Sequence, residues 1–240
     1  MSLIGIASLH GSPGVTSLAV ALTARMNDTG RPALIVEADP DGGVLAARLD
    51  LSLVPNLTDL AGAARRSLDT GELAHYAQRV NPQTPIIVAH PSGEQTSGAL
   101  RASGASLAHT FGEADFRVVA DLGRWRTDSP ANPLIEVADP LLLVIRSALE
   151  DIVQVLHLLD RVDRRERLRL VAVGERPYSG RQITDATGLP VVACLPEDRK
   201  QPSRTRVGPA ARRDAWASAV SVLTETLCGN EPSPMGSSTH

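Results

Sequence analysis

Seven short apolar runs, each too uniform to be half-exposed, constrain the fold of this chain more than any other feature. They are Leu3 to Ser8, Ala33 to Glu37, Pro85 to Ala89, Phe116 to Asp121, Leu141 to Arg146, Leu168 to Val173 and Leu189 to Cys194. A strand with one wet face alternates apolar and polar residues; these runs do not, so each is expected to be covered on both faces. Between them lie stretches with helical apolar spacing, such as Leu18 to Met26 and Glu150 to Arg161. Buried strands alternating with helices imply an α/β fold: a mainly parallel, roughly seven-stranded sheet with right-handed crossovers and helices on both faces. At 240 residues and 42% apolar content the chain can bury one large core. We read a single domain over residues 1–228, followed by a short polar tail, 229–240, that is expected to be disordered.

Ligands of such sheets sit beyond the carboxyl ends of the strands, near a switch in strand order. The polar residues of this chain gather there. The first run leads into His10-Gly11-Ser12-Pro13-Gly14-Val15-Thr16-Ser17, the second into Glu37-Ala38-Asp39-Pro40-Asp41-Gly42-Gly43, the fourth into Asp121-Leu122-Gly123-Arg124, and the last into Pro196-Glu197-Asp198. Strand, glycine turn and helix in that order form the context of a phosphate-binding loop. Its backbone N–H groups and the positive end of the following helix favour an anion even without a charged side chain. Asp39 and Asp121, at the same edge as Thr16, offer oxygen ligands for an octahedral magnesium held mostly through water. The plainer alternatives are a tight turn that binds nothing and acids that merely meet solvent.

The loop lacks the charge its shape calls for. Only Lys200 among the 24 basic side chains is a lysine, yet a simple preference for arginine does not explain positions 10 and 15, which hold histidine and valine. A lysine about 4 Å from a phosphate oxygen is worth roughly 4 kcal/mol at an effective dielectric of about 20, or about a thousandfold in affinity. An imidazole carries charge only when protonated, and its reference pKa of about 6.5 makes that form a minority at neutral pH. Pro13 also removes one N–H donor from the cradle. Arg124 is a further candidate cation near the loop.

Taken together, the four strand-end motifs resemble the ParA/MinD group of deviant P-loop ATPases, whose loop reads Lys-Gly-Gly-x-Gly-Lys-Thr-Thr. The resemblance spans nearly all of residues 1–228. It places His10 on the family's signature lysine, Gly11 and Gly14 on two loop glycines, Val15 on the P-loop lysine and Thr16 on the magnesium-binding hydroxyl. Ser12, Pro13 and Ser17 complete the cofactor-binding loop. Glu37 falls on the acid that helps position the attacking water, and is the one catalytic candidate. Asp39 belongs to the same switch. Asp121 falls on the acid that holds magnesium through water, and Gly123 on the glycine of the second switch. Leu195-Pro196-Glu197-Asp198 resembles the loop that passes the nucleotide base, which puts Pro196, Glu197 and Asp198 in the cofactor site. The family often reads the base with an asparagine where this chain has Val173-Gly174-Glu175.

The resemblance therefore implies ATP and magnesium as cofactors, with Thr16, Asp39 and Asp121 around the metal. It also implies a possible homodimer that sandwiches two nucleotides, in which His10 in place of the signature lysine weakens nucleotide-dependent pairing. The pattern is closer to actinobacterial-type MinD-like proteins that accompany Tad-pilus or type II/IV secretion ATPases than to plasmid partition proteins. The expected function is positioning, scaffolding or regulation through protein partners, such as a secretion or pilus ATPase, with weak or absent turnover. A slow magnesium-dependent ATPase and a nucleotide-independent interaction module are the alternatives.

Other features narrow the setting. A formal charge of −3 gives no global attraction to nucleic acid or anionic membrane. The local basic stretch from Arg199 to Arg213 reads as solvated surface in preference to a contact for DNA, lipid or protein. Cys194 and Cys228 have no metal-ligand spacing, and no run is long enough to span a bilayer. With no signal-peptide pattern at Met1 to Gly5, the expected setting is the reducing cytoplasm, with any membrane association peripheral. Trp216, Ala219, Val220, Leu223 and Leu227 lie at helical spacing, as in a last helix docked on the sheet.

Overall fold

The computed structural model describes residues 2–11, 13–66, 68–81, 84–197 and 215–229. All seven apolar runs form strands, and an eighth joins them at an edge. In chain order they are β1 (Leu3–Ser8), β2 (Ala33–Glu37), β3 (Gln78–Arg79), β4 (Pro85–Ile87), β5 (Arg117–Arg124), β6 (Leu141–Arg146), β7 (Leu168–Val173) and β8 (Val191–Leu195). The α-helices among the described residues are α1 (Val15–Asp28), α2 (Leu45–Leu49), α3 (Leu57–Ala64), α4 (Leu73–Tyr76), α5 (Gly93–Gly112), α6 (Asn132–Val137), α7 (Leu149–Leu159), α8 (Gly180–Thr187) and α9 (Ala215–Cys228). The expectations for the tail beyond Gly229 and for the basic stretch from Arg199 to Arg213 fall outside the described residues.

The sheet runs β3-β4-β2-β5-β1-β6-β7-β8, parallel throughout except for the antiparallel pair β3–β4. The expected count of seven misses β3, because Gln78–Arg79 is a two-residue polar edge strand with no apolar run to announce it. Side-chain alternation sorts the strands onto two cores. Ile4, Ile6, Ile35, Val119, Leu142 and Val144 face one, where α1 and α9 pack. Leu34, Val36, Ala120, Leu122, Leu143 and Ile145 face the other, beneath α3, α5, α6 and α7. Helix α9 docks on β8 and α1 by burying Val220 and Leu223, with Trp216, Ala219 and Leu227 packed alongside. No described helix is long and apolar enough to cross a membrane.

The strand order fixes where a ligand belongs. From β1 the chain crosses by α1 to β2 on one side; from β5 it crosses by α6 to β6 on the other. Since β1 and β5 are neighbours, their connections diverge and leave a crevice beyond their carboxyl ends. The Gly11–Gly14 loop leaves β1 at this crevice, and Asp121 to Arg124 close β5 beside it.

Strand β1 sits at the centre of the sheet and is buried along its whole length. At Gly5 a side chain has no room: its first carbon would lie 2.8 Å from Ala138 Cβ, 2.8 Å from Leu141 Cδ1 and 2.9 Å from Leu122 Cδ1. We therefore expect Gly5→Ala to destabilise the fold by about 1–3 kcal/mol, the usual cost of overpacking a dense core. A denaturant-unfolding midpoint equal to that of wild type would contradict this packing.

Candidate functional site

The loop after β1 carries the predicted phosphate site into α1. Gly14 caps the helix at φ 103°, in the left-handed region that favours glycine. No side chain caps the helix N-terminus and its first turn holds no acid, so side chains leave its N–H groups open to an outside anion. Val15 is not a gap left by a missing lysine. It is 5% exposed and packs into the core beneath α1, so its side chain stabilises the helix rather than facing the crevice. Pro13, Thr16 and Ser17 are half-buried on the loop and first turn, whereas Ser12 lies outside the described residues.

His10 has Asp151 as its charged neighbour. Its Nδ1 lies 3.9 Å from Asp151 Oδ1, with the imidazole about half-exposed and the carboxylate nearly buried. The same carboxylate accepts the Arg146 backbone N–H through Oδ2 at 2.7 Å. Asp151 thus joins the end of β6, the start of α7 and His10.

Three carboxylates close the other side of the crevice. Asp121 lies in the buried part of β5 at 1% exposure; its Oδ1 accepts the Gly123 N–H at 3.1 Å, while Oδ2 makes no hydrogen bond. Burial pushes its pKa up to about 7, against the opposing influence of the nearby Thr16 hydroxyl, and the charges of Glu37 and Asp39 push it the same way. Asp39 is also raised, chiefly by burial, although the Asp41 N–H that it accepts at 2.9 Å opposes the shift. Its carboxylate occupies the space where a side chain on Gly123 would begin, 2.1 Å from Cγ. Gly123 itself sits at φ 60°.

Glu37 is held differently. Its Oε1 accepts N–H groups from Val44 at 2.6 Å and Leu45 at 2.9 Å, and Oε2 accepts that of Ala89 at 2.9 Å. These three bonds tie the start of α2 and the end of β4 to β2. They oppose, but do not cancel, the upward pKa shift that burial causes. The side chain predicted as catalytic therefore also anchors backbone on both sides of the switch.

No three His, Cys, Asp or Glu residues among those described are placed to hold a metal together. The donor set fits magnesium in a different way: one orphaned, fully buried carboxylate oxygen on Asp121 beside the Thr16 hydroxyl, with water and phosphate supplying the remaining ligands. Pro196 and Glu197 leave β8 exposed at the same edge of the sheet, and Asp198 lies outside the described residues.

The geometry adds two residues that face the loop itself. Arg146 Nη2 donates to the Gly11 carbonyl at 2.8 Å. Arg124 Nη2 lies 2.9 Å from the point where a Gly11 side chain would start. Arg126, by contrast, is engaged with Asp41 through two bonds of 2.9 and 3.2 Å. Sequence order pointed to Arg124, but Arg146 ends a strand that carries no motif.

Comparison with solved structures identifies the architecture. The septum site-determining protein MinD complexed with Mg-ADP from Pyrococcus horikoshii OT3 superposes with a TM-score of 0.76 at 18% identity, covering 95% of this chain and 96% of that one. The fold is that of the ParA/MinD P-loop ATPases. A ParA family ATPase from Chlorobium tepidum TLS gives a TM-score of 0.68 at 19% identity, over 96% and 94% of the two chains. The MinC:MinD cell division protein complex of Aquifex aeolicus gives 0.69 at 15% identity, over 98% and 99%. No protein-family model and no curated protein matches the sequence.

The raised pKa of Asp121 makes stability depend on pH in a defined direction. An acid whose folded pKa lies above its unfolded value contributes stability that is full below about pH 4 and is lost as pH rises through about 7. At 1.36 kcal/mol per unit the loss is on the order of 4 kcal/mol. We expect Asp121→Asn to gain on wild type steadily from pH 4 to pH 8 in denaturant unfolding. Parallel pH profiles for the two proteins would show that Asp121 titrates normally.

Proposed function

We propose that this chain is a ParA/MinD-type P-loop protein that binds nucleotide phosphate and magnesium weakly and acts mainly through protein partners. The observation that carries this reading is Val15: the position of the P-loop lysine belongs to the apolar core, while Thr16 and the unpartnered Asp121 oxygen remain at the crevice. Magnesium, when bound, would supply charge neutralisation along the phosphate chain. Thr16 and Asp121 would hold it, with Asp39 shaping the field around them. Turnover is weak or absent, since phosphoryl transfer relies on fixed positive charge at the transferred group and the loop supplies none of its own.

The role follows as positioning, scaffolding or regulation, in cell division, partition or pilus and secretion assembly. The MinD of the Aquifex complex is a protein of this fold with a protein partner, MinC. By analogy, the partner here would be a protein, such as a secretion or pilus ATPase. His10 is drawn to Asp151 of its own chain, which disfavours a reach across a dimer and supports a monomer or a nucleotide-independent homodimer. One observation favours the alternative of an interaction module without nucleotide. Leu149, Val153 and Leu156 stand exposed on α7 at a spacing that puts them on one face.

Calorimetric titration with Mg-ATP separates these readings. We expect binding about a thousandfold weaker than a lysine-bearing loop would give, and phosphate release no faster than that of Asp121→Ala. Absence of heat at millimolar nucleotide would leave only the interaction module. Release that exceeds the Asp121→Ala rate and requires magnesium would establish the slow ATPase instead.

A further inference from the structure

We propose that Arg124 and Arg146 form a two-guanidinium clamp for a polyphosphate chain over the β1–α1 loop, replacing the cations that the loop lacks. The clamp rests on the phosphate-binding reading above and names the residues that would supply its charge. Arg124 ends β5 and Arg146 ends β6, the two strands that flank β1. Register staggers them along β1: Arg124 pairs with Ser8, the last residue of β1, and Arg146 lies two residues beyond Val144, which also pairs with Ser8, so Arg146 stands further out over the loop. From opposite sides they converge on a single loop residue. Arg146 Nη2 bonds the Gly11 carbonyl at 2.8 Å, and Arg124 Nη2 comes within 2.9 Å of the site of an absent Gly11 side chain. A side chain there would have to push the end of Arg124 aside.

Both guanidiniums keep donors for a ligand. Each is exposed, and neither makes an ion pair within 4 Å among the described residues, unlike Arg126 with Asp41, although Arg124 stands close enough to Asp39 to act on its charge. A guanidinium has five N–H donors in a rigid fork suited to phosphate, and the Gly11 carbonyl occupies only one contact on Arg146. A second observation points to the same ligand. The Asp121 carboxyl lies beside the Thr16 hydroxyl, and its Oδ2 is fully buried with no hydrogen-bond partner, as expected where a hydrated cation is to be held against a phosphate chain. Asp121 sits three residues before Arg124 on β5, so the acid and the guanidiniums would meet a polyanion and its magnesium at one strand edge.

The test is calorimetry of the full chain with Mg-ATP and, separately, with magnesium tripolyphosphate, on wild type, Arg124→Ala, Arg146→Lys and the double alanine variant. Arg181→Ala, in the exposed Arg181–Asp185 pair on α8, is the control. Loss of one charge-assisted contact at an exposed site is expected to weaken both ligands about tenfold, and the double variant about a hundredfold. Arg146→Lys keeps the charge but loses the fork, so it should fall between wild type and the alanine forms. Ligand-free unfolding midpoints should not move for Arg124→Ala or Arg146→Lys, which separates phosphate binding from simple pinning of the loop; if the double variant unfolds early, these two single variants decide.

Variants that bind both ligands as tightly as wild type would overturn the clamp and leave the nucleotide reading standing. Wild type that binds neither ligand would overturn both. Binding of tripolyphosphate without ATP, lost in the variants, would uphold the clamp and overturn the nucleotide reading. Binding of ATP without tripolyphosphate would place the affinity in the nucleoside and overturn the clamp.

Discussion

The packing of three carboxylates, Glu37 and Asp121 buried and Asp39 half-buried, at the ends of two adjacent strands is the constraint on which the rest of the site depends. Glu37 and Asp39 close β2, Asp121 lies directly beside Glu37 in the β2–β5 register, and burial raises the pKa of all three. Charge of one sign in a dry volume is costly unless hydrogen bonds or counter-charges offset it. Glu37 is offset by three backbone N–H groups, and in accepting them it fixes the paths of two connections. The glycines nearby follow from the carboxylates. A side chain at Gly43 would begin 2.6 Å from Glu37 Oε2 and 2.5 Å from the Ala89 carbonyl, and one at Gly123 would fall on the Asp39 carboxylate.

Asp121 differs because its environment leaves one oxygen without a partner. A buried polar atom in that state is destabilising unless something completes its bonding. The neighbouring elements fit that account. The first turn of α1 is uncapped by side chains, and Thr16 stands on it next to the acid. An uncapped helix end and an unpartnered carboxylate oxygen therefore share one crevice, at the point where the crossovers from β1 and β5 part.

The strands were legible because a doubly covered strand has no polar alternation, and every long run of that kind became one. β3 escaped because two polar residues on an edge carry no such signature. The long helix α5 was equally hard to read: Gly93, Gly98, Gly104 and Gly112 lower its intrinsic propensity, and its helical state follows from burying Leu100, Leu107 and Phe111. Gly104 there lets Pro133 approach to 3.1 Å of where a side chain would start. In the site, sequence order places Thr16, Asp39 and Asp121 at one sheet edge. It does not show that Val15 turns into the core, that Glu37 grips backbone, or that Arg146 reaches the loop, since all three depend on side-chain direction.

Those directions change how the loop reads. With valine at position 15 and histidine at position 10, sequence order alone would leave the crevice acids and an uncapped helix end. Instead Val15 adds to the core under α1, His10 joins Asp151 at the start of α7, and two arginines stand over Gly11 from the neighbouring strands. A lysine within the loop moves with the loop, whereas a guanidinium at a strand end is positioned by the sheet. Arg146 is held twice over, through its backbone N–H to Asp151 and its side chain to Gly11. Since His10 contacts the same Asp151, this one carboxylate links the loop's entry to the arginine above it. Cationic side chains beside the loop thus come from the ends of β5 and β6.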